Sequence, residues 1–200
     1  MPHWRSKRTA AATGAAVALA LALTGCAGGT TGDEDAPADI GYVAGDGSIL
    51  EIPDADRGEP ISFAGLGENG ESISSTDYVG EVLVVNFWYA ACAPCRLEAP
   101  DLEAVYQSYQ DEGVDFLGVN VRDQASTAKE FARTFGVTYP SIIDTDAAAQ
   151  LSFAGQVAPN AVPTTLVLDD EGRVAARILG RVLEPSILES LIDRVLQESA

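Results

Sequence analysis

Histidine is nearly absent from this chain. The only one among 200 residues is His3, which lies in a segment that we expect to be removed during export. A mature chain without an imidazole excludes Ser-His-Asp hydrolysis, a haem with a histidine ligand, and zinc or copper sites that rely on histidine.

Basic residues are also scarce. The chain has 12 Lys+Arg against 30 Asp+Glu, a formal net charge of -18. Binding to nucleic acid needs clustered basic side chains that neutralise phosphates, and the sequence has no such cluster. We therefore expect no nucleic-acid partner. The hydrophobic share of 46% is ordinary for a folded protein, and the length allows one domain with an appended tail.

No apolar run is as long as a membrane span. The run at residues 10–23 is shorter than the roughly 20 residues that cross a bilayer. It follows the basic residues Arg5, Lys7 and Arg8, and this order predicts a secretory signal peptide. An ordinary leader cut elsewhere, or a retained apolar anchor, would also place the folded part outside the cytoplasmic membrane.

The end of the leader carries a second signal. Leu-Thr-Gly precedes Cys26, which resembles the lipobox of bacterial lipoproteins and implies that Cys26 is acylated after removal of residues 1–25. The mature chain then has 9 basic and 30 acidic residues, a net charge of -21, which repels anionic headgroups. We therefore expect the lipid to hold the protein at the outer face of the cytoplasmic membrane. The polar composition after Cys26 predicts a flexible tether over residues 26–45 and a folded domain over 46–200.

Cysteine is limited to three residues, of which Cys92 and Cys95 form a C-x-x-C motif. A disulfide across two intervening residues closes a very short loop and adds little stability. A structural zinc site requires four Cys or His ligands, whereas the mature chain offers two. The motif therefore predicts a pair that opens and closes as its function, with no metal and no cofactor beyond its own disulfide.

The C-x-x-C motif follows a predicted strand. Residues 82–87 are a continuous apolar run, typical of a strand buried on both faces. Residues 102–109 carry an apolar stripe with helical spacing, and residues 114–121 predict a second strand that completes a β-α-β unit. In open α/β sheets, ligands bind at the carboxyl end of the strands, and the motif falls at that end.

Patterns elsewhere predict further elements. A helix over residues 126–135 would begin at an N-cap Ser126 and stop at Gly136. An antiparallel hairpin would turn at Gly172. The remaining predicted segments are a small N-terminal hairpin (61–63 and 71–73), a strand (141–143), a short helix (147–153), the strands of the Gly172 hairpin (165–168 and 173–178) and an amphipathic last helix that starts at Pro185.

Residues 86–96, Asn-Phe-Trp-Tyr-Ala-Ala-Cys-Ala-Pro-Cys-Arg, resemble the active-site segment of the thioredoxin superfamily. The lipobox, the N-terminal hairpin, the helix at 126–135 and residues 95–100 resemble its membrane-tethered ResA/TlpA type. The resemblance covers about residues 61–199. It implies an α/β, thioredoxin-like fold: a mixed central sheet flanked by helices, with an N-terminal β-hairpin extension and a central helical insertion.

The motif's chemistry depends on its place before a helix. A thiolate attacks a disulfide, and a free cysteine with a pKa of about 8.5 is mostly protonated at neutral pH. Unpaired N–H groups and the helix dipole favour the anion at Cys92, which we expect to be the exposed nucleophile. Cys95, expected to be more buried, would resolve the mixed disulfide. Ala93 and Pro94 separate them, and Pro94 suits a first helical turn.

Four surrounding residues gain an expected role from the resemblance. Pro163, after Val162, would be the cis proline that faces the motif and aligns the substrate backbone. Trp88 either covers the site or is a core aromatic. Glu98 lies where ResA-type proteins carry a Glu that influences the cysteine pair; the alternative is a solvated acid in the first helical turn. Thioredoxins proper have a buried Asp at the position of Asn86, which cannot exchange protons.

The resemblance implies one of two opposite functions. We favour a reductase of cysteine pairs in exported proteins such as apocytochromes, recharged by an integral-membrane thiol donor. An oxidase or isomerase for secreted proteins, with an integral-membrane acceptor, is the alternative, and a non-catalytic solute-binding lipoprotein is a third. A peroxiredoxin would have Thr in place of Tyr89, and a copper-delivery protein of this fold would have C-x-x-x-C and a histidine.

Overall fold

A computed structural model describes residues 48–199. The predicted leader, Cys26 and the predicted tether lie outside the described residues. Within residues 48–199, no helix combines the length and apolar character needed to cross a membrane. The elements in chain order are β1 (Ile49–Glu51), β2 (Ala64–Leu66), β3 (Ser72–Ser74), β4 (Val82–Trp88), α1 (Ala93–Tyr109), β5 (Val114–Asn120), α2 (Ala125–Phe135), β6 (Ser141–Ile143), α3 (Ala148–Ser152), β7 (Thr164–Leu168), β8 (Val174–Leu179) and α4 (Pro185–Glu198).

Six strands form one mixed sheet in the order β1-β8-β7-β4-β5-β6. The strands β4, β5 and β6 are parallel, whereas β7 is antiparallel to both β4 and β8, and β1 is antiparallel to β8. Helices cover the sheet, and β2 and β3 form a separate hairpin. This confirms the α/β, thioredoxin-like architecture with a mixed central sheet, a β-hairpin extension and a helical insertion.

Every residue of β4 is buried, as expected for a strand covered on both faces. Its side chains alternate between two apolar clusters because successive residues of a strand point to opposite faces. Leu83, Val85 and Phe87 join the cluster that also contains both cysteines. Val82 and Val84 join a second cluster with the inner faces of α1 and α4.

The N-terminal hairpin is shifted from its predicted position. Its first strand is Ala64–Leu66, paired with Ser72–Ser74, and the prediction of residues 61–63 was wrong. Phe63 does not belong to a strand. An apolar residue stands at this position because its ring packs in the core, 5.5 Å from that of Phe153. The edge strand β1 was not predicted, since its three residues are all exposed and have no alternating pattern.

Two helix starts also differ from expectation. The N-cap of α2 is Gln124, without a side-chain cap, and Ser126 lies inside the helix. The second is α3, which begins at Ala148 and not at residue 147 as predicted. The backbone N–H groups of Ala149 and Gln150 donate to the carboxylate of Asp144, each over 2.8 Å. The predicted stop at Gly136 is confirmed, because this glycine adopts φ 76°, a left-handed conformation that favours glycine.

Candidate active site

The C-x-x-C motif occupies the turn from β4 into α1. Cys92 is the N-cap of α1, which begins at Ala93 and carries Pro94 in its first turn. The backbone N–H of Cys95 donates to Sγ of Cys92 over 3.2 Å. The two cysteines form a disulfide with their Cα atoms 5.3 Å apart. The predicted place of the motif at a helix start is therefore confirmed.

The exposure of the cysteines differs from expectation. Cys92 is 0% exposed and Cys95 2% exposed, so the expectation of an open Cys92 and a less accessible Cys95 was wrong. The cause is packing, since both cysteines belong to the apolar cluster that includes Tyr89 and Val162. Among the neighbouring residues, Ala91, Ala93 and Arg96 are exposed. A partner can therefore reach Sγ of Cys92 only after a local rearrangement of this closed, oxidised state.

Glu98 lies one turn after Cys95 and is 1% exposed, so the alternative of a solvated acid was wrong. Its Oε1 accepts from Nδ2 of Asn86 over 3.0 Å, and its Oε2 accepts from the backbone N–H of Val182 over 2.9 Å. Burial raises the pKa of Glu98 to about 7, although the two hydrogen bonds and the nearby Arg181 act in the opposite direction. The group can thus change protonation near neutral pH.

Two partners of Glu98 were missed from the sequence. Nδ2 of Asn86 also donates to Oγ1 of Thr165 over 3.1 Å, so one carboxamide connects β4, α1 and β7. The backbone N–H of Val182 comes from the segment after β8. A signal for the Asn86 contacts was present, because Asn86 is a polar residue in the otherwise apolar, fully buried strand β4, and buried polar groups need partners.

Trp88 is a core residue that also borders the cysteine pair. Its ring lies 4.2 Å from that of Phe131 on α2, and its Nε1–H donates to Oγ of Ser141 over 3.3 Å. Trp88, Asn86 and Cys95 line a cavity of about 10 Å³, the space of roughly one water molecule. The inserted helix therefore closes one side of the site.

The peptide bond between Val162 and Pro163 is cis, as the resemblance implied. Val162 is 1% exposed and packs in the same cluster as both cysteines. The carbonyl of Pro163 accepts from the backbone N–H of Gly180 over 2.9 Å, which ties this segment to the end of β8.

An open groove lies next to the motif, between the start of α1 and α2. Its volume is about 400 Å³, and its lining includes Ala90, Arg96, Glu130 and Phe135. The Arg96 guanidinium lies over the ring of Phe135 at 5.6 Å. Leu97 on the exposed face of α1 is 61% exposed. This surface is both apolar and charged, and it borders the segment that carries the cysteines.

Residues 48–199 contain no group of three or more His, Cys, Asp or Glu residues that could hold a metal ion. The reactive groups that the site brings together are the Cys92–Cys95 disulfide and the carboxyl group of Glu98. A cysteine pair at a helix start on this mixed sheet defines the class of thioredoxin-fold thiol-disulfide oxidoreductases.

The comparisons with known proteins agree with that class. Residues 51–192 match the Redoxin family. The chain is 37% identical over 116 residues to the thiol-disulfide oxidoreductase ResA of Geobacillus thermodenitrificans, a match that covers 58% of this chain and 64% of the relative. It is 33% identical over 144 residues to ResA of Bacillus subtilis, covering 72% of this chain and 75% of that protein.

A solved structure is similar over most of the domain. The secreted thiol-disulfide isomerase of Corynebacterium glutamicum superposes with a TM-score of 0.68 at 31% identity, covering 78% of this chain and 96% of the other. The chain therefore belongs to the Redoxin family, and within the thioredoxin superfamily it is a ResA/TlpA-like protein.

Proposed function

We propose that this protein reduces disulfides in exported proteins, with Cys92 as the nucleophile and Cys95 as the resolving cysteine. The observation that carries the proposal is the disulfide at the first turn of α1 with a buried carboxyl group, Glu98, one turn beyond it. The substrates that we infer are cysteine pairs of exported proteins, such as apocytochromes that must be reduced before haem attachment.

The reaction transfers two electrons from the protein to its substrate. The Cys92 thiolate attacks one sulfur of a substrate disulfide, and the other substrate sulfur leaves as a thiolate that takes a proton. Cys95 loses its proton and attacks Sγ of Cys92, which forms the Cys92–Cys95 disulfide and releases the second substrate thiol. The N–H of Cys95, which donates to Sγ of Cys92, stabilises the attacking anion.

Glu98 is the proposed proton acceptor for the resolving step. A pKa of about 7 allows a buried carboxyl group to take a proton at neutral pH and to release it afterwards. When it is ionised, its charge raises the pKa of a nearby cysteine by repulsion between like charges. A carboxyl group in this position thus suits a dithiol that must be deprotonated only as it reacts.

The location and partners of the protein belong to the same proposal. The leader-like residues 1–25 support export, and Cys26 is the proposed site of a lipid that holds the domain at the outer face of the cytoplasmic membrane. Residues 26–45 would be the tether. An integral-membrane thiol donor would return the Cys92–Cys95 disulfide to the dithiol after each turnover.

The test is the midpoint potential of the Cys92/Cys95 couple, measured on the full-length chain in glutathione buffers, together with reduction of insulin disulfides. A potential near -270 mV, about that of thioredoxin, supports donation of electrons, whereas one near -120 mV contradicts it. Cys92→Ser is the control and should be inactive. If the unaltered protein is as inactive as Cys92→Ser at every redox potential of the buffer, a solute-binding protein without catalysis becomes the better interpretation.

A second candidate is an isomerase or oxidase of secreted proteins. It is favoured by the similarity to the secreted thiol-disulfide isomerase of Corynebacterium glutamicum, which is 31% identical. An isomerase restores activity to a protein with scrambled disulfides without net electron transfer. Recovery of scrambled ribonuclease, combined with weak insulin reduction, would favour this function over the reductase.

A further inference from the structure

Arg96 is an exposed residue of α1 whose charge has no acidic partner within the part of the chain that the structure describes. Among residues 48–199, no carboxylate forms an ion pair with its guanidinium, and no oxygen accepts a hydrogen bond from it. The guanidinium instead lies over the ring of Phe135, 5.6 Å from the ring centre. Five other arginines each pair with a carboxylate: Arg57, Arg133, Arg173, Arg181 and Arg194. In a chain with an excess of acids, an arginine that remains unpaired is available to an external anion.

The aromatic rings next to Arg96 hold its guanidinium in place. The ring of Phe135 lies 4.5 Å from that of Phe131, which lies 4.2 Å from the ring of Trp88. Phe131 and Trp88 are buried, so this stack of rings is part of the core. A guanidinium that stacks on a fixed ring loses less conformational freedom when it binds a ligand, because its planar fork of N–H donors is already oriented.

The groove of about 400 Å³ beside Arg96 has one uncompensated charge, and that charge is positive. Arg96 and Glu130 are the only charged residues in its lining. Both carboxylate oxygens of Glu130 accept from Arg133, from Nε over 2.9 Å and from NH2 over 2.5 Å. The rest of the lining is apolar or carries hydroxyl groups. A carboxylate therefore finds a free guanidinium in this groove, and an apolar side chain finds the ring of Phe135.

The groove is within reach of a substrate that is bonded to Cys92. Arg96 follows Cys92 by four residues, and its backbone N–H donates to the carbonyl of Cys92 over 3.1 Å. Four residues of a helix rise about 6 Å, and two residues of an extended chain span about 7 Å. The substrate residue two positions from the attacked cysteine is therefore the one that comes closest to Arg96.

We propose that Arg96 is a specificity-determining residue that binds an acidic side chain of the substrate, two positions from the attacked cysteine. The inference rests on the proposed function, because it names the class of substrate that the same site prefers. The substrate carboxylate forms a charge-assisted hydrogen bond with the guanidinium, while an apolar neighbour packs on Phe135. Cysteine pairs flanked by Asp or Glu are thus reduced faster than pairs flanked by Lys or Arg.

The experiment compares disulfide peptides that differ at one position. Each probe is a ten-residue peptide with one C-x-x-C disulfide and with Glu, Gln or Lys two positions before its first cysteine. A second set carries the same three residues two positions after the second cysteine, because either sulfur can be attacked. The reduced, full-length protein is the reductant, in 0.15 M salt, where charges more than about 8 Å apart are largely screened.

In at least one set, we expect the Glu peptide to be reduced about three- to tenfold faster than the Lys peptide, with the Gln peptide between them. Arg96→Gln should bring this ratio close to one. Arg96→Lys should retain part of it, because the charge remains but the flat, stacked fork of donors is lost. Equal rates for the Glu and Lys peptides in both sets, or faster reduction of the Lys peptide, would overturn the proposal.

The matched control is Lys129→Gln. Lys129 is exposed on α2 and does not line the groove, so this variant removes the same charge and should keep the preference. The ratio of two rates is the readout because both peptides react with the same thiolate, so a change in the reactivity of Cys92 cancels. An equal loss of preference in Lys129→Gln and Arg96→Gln would show that net charge selects the substrate, and it would overturn the proposal.

Binding without chemistry separates this inference from the proposed function. The same peptides with Ser in place of both cysteines are titrated into the oxidised protein, and ¹⁵N shifts of groove residues report their affinity. Tighter binding of the Glu peptide, lost in Arg96→Gln, supports the inference even if the protein reduces no disulfide, a result that would contradict only the proposed function. Reduction of all peptides without preference for Glu would contradict only the inference.

Discussion

The backbone N–H of Val182 donates to Oε2 of Glu98 over 2.9 Å, although 84 positions in the chain separate the two residues. This contact holds the acid of α1 against the segment that follows β8. It stabilises the ionised form, whereas burial stabilises the neutral form, and burial has the larger effect on the pKa. The outcome is a carboxyl group that titrates near neutral pH, one turn of α1 beyond Cys95.

Replacing Glu98 with Gln should change the titration of the thiols while the fold stays intact. The charge of an ionised Glu98 disfavours a nearby thiolate, so its removal should lower the thiol pKa by about one unit. The rate of alkylation as a function of pH, measured on the reduced protein, gives this pKa. Identical curves for Glu98→Gln and the unaltered protein would refute the assigned role.

The stability of the oxidised protein should depend on pH through the same group. Glu98 has an ordinary pKa of 4.5 when unfolded and a pKa of about 7 when folded. Its contribution is therefore fully present below about pH 4.5 and is lost as the pH rises through 7, with a decrease of about 3 kcal/mol in the free energy of unfolding. Urea unfolding across this range measures the loss, which should be absent from Glu98→Gln.

Trapping experiments should separate the two cysteines. In Cys95→Ser, attack by Cys92 yields a mixed disulfide that cannot be resolved, so covalent complexes with a substrate should accumulate. In Cys92→Ser, no attack occurs if Cys92 is the nucleophile, and complexes should be absent. Non-reducing electrophoresis after mixing with an oxidised substrate shows both results. The reverse pattern would identify Cys95 as the attacking residue.

A stability prediction concerns a buried ion pair remote from the motif. NH1 of Arg57 lies 3.0 Å from Oδ2 of Asp169, with side chains 3% and 1% exposed. Arg57→Met would leave the carboxylate of Asp169 with Arg173 as its remaining cation. We expect a loss of about 2–4 kcal/mol in the free energy of unfolding, since Asp169 loses one of the two cations that compensate for its burial. Chemical unfolding measures this loss.

The matched control for Arg57 is Arg133, which pairs with Glu130 on the surface of α2. Both side chains are exposed, so Arg133→Gln should lower the free energy of unfolding much less than Arg57→Met does. Disulfide exchange should be unchanged in Arg57→Met under conditions where it stays folded. Equal losses for the two variants would show that the buried pair adds no more stability than the exposed one.

The elements with strong local patterns were predicted correctly. The strand β4 was predictable because it is buried on both faces and has a continuous apolar run, and α4 because Pro185 and an apolar stripe mark its start and inner face. The C-x-x-C motif could be assigned to a helix start because it directly follows β4. In contrast, β1 depends on pairing with β8, more than 120 positions later, which leaves no local signal.

The sequence by itself determined the fold class and the reactive cysteine pair, because periodic burial and residue type are local properties of the chain. Tertiary structure alone decided that both sulfurs are closed to solvent and that Glu98 is buried between Asn86 and Val182. These features depend on contacts between segments 12 to 84 positions apart, and burial together with hydrogen bonding sets a pKa only after those segments meet.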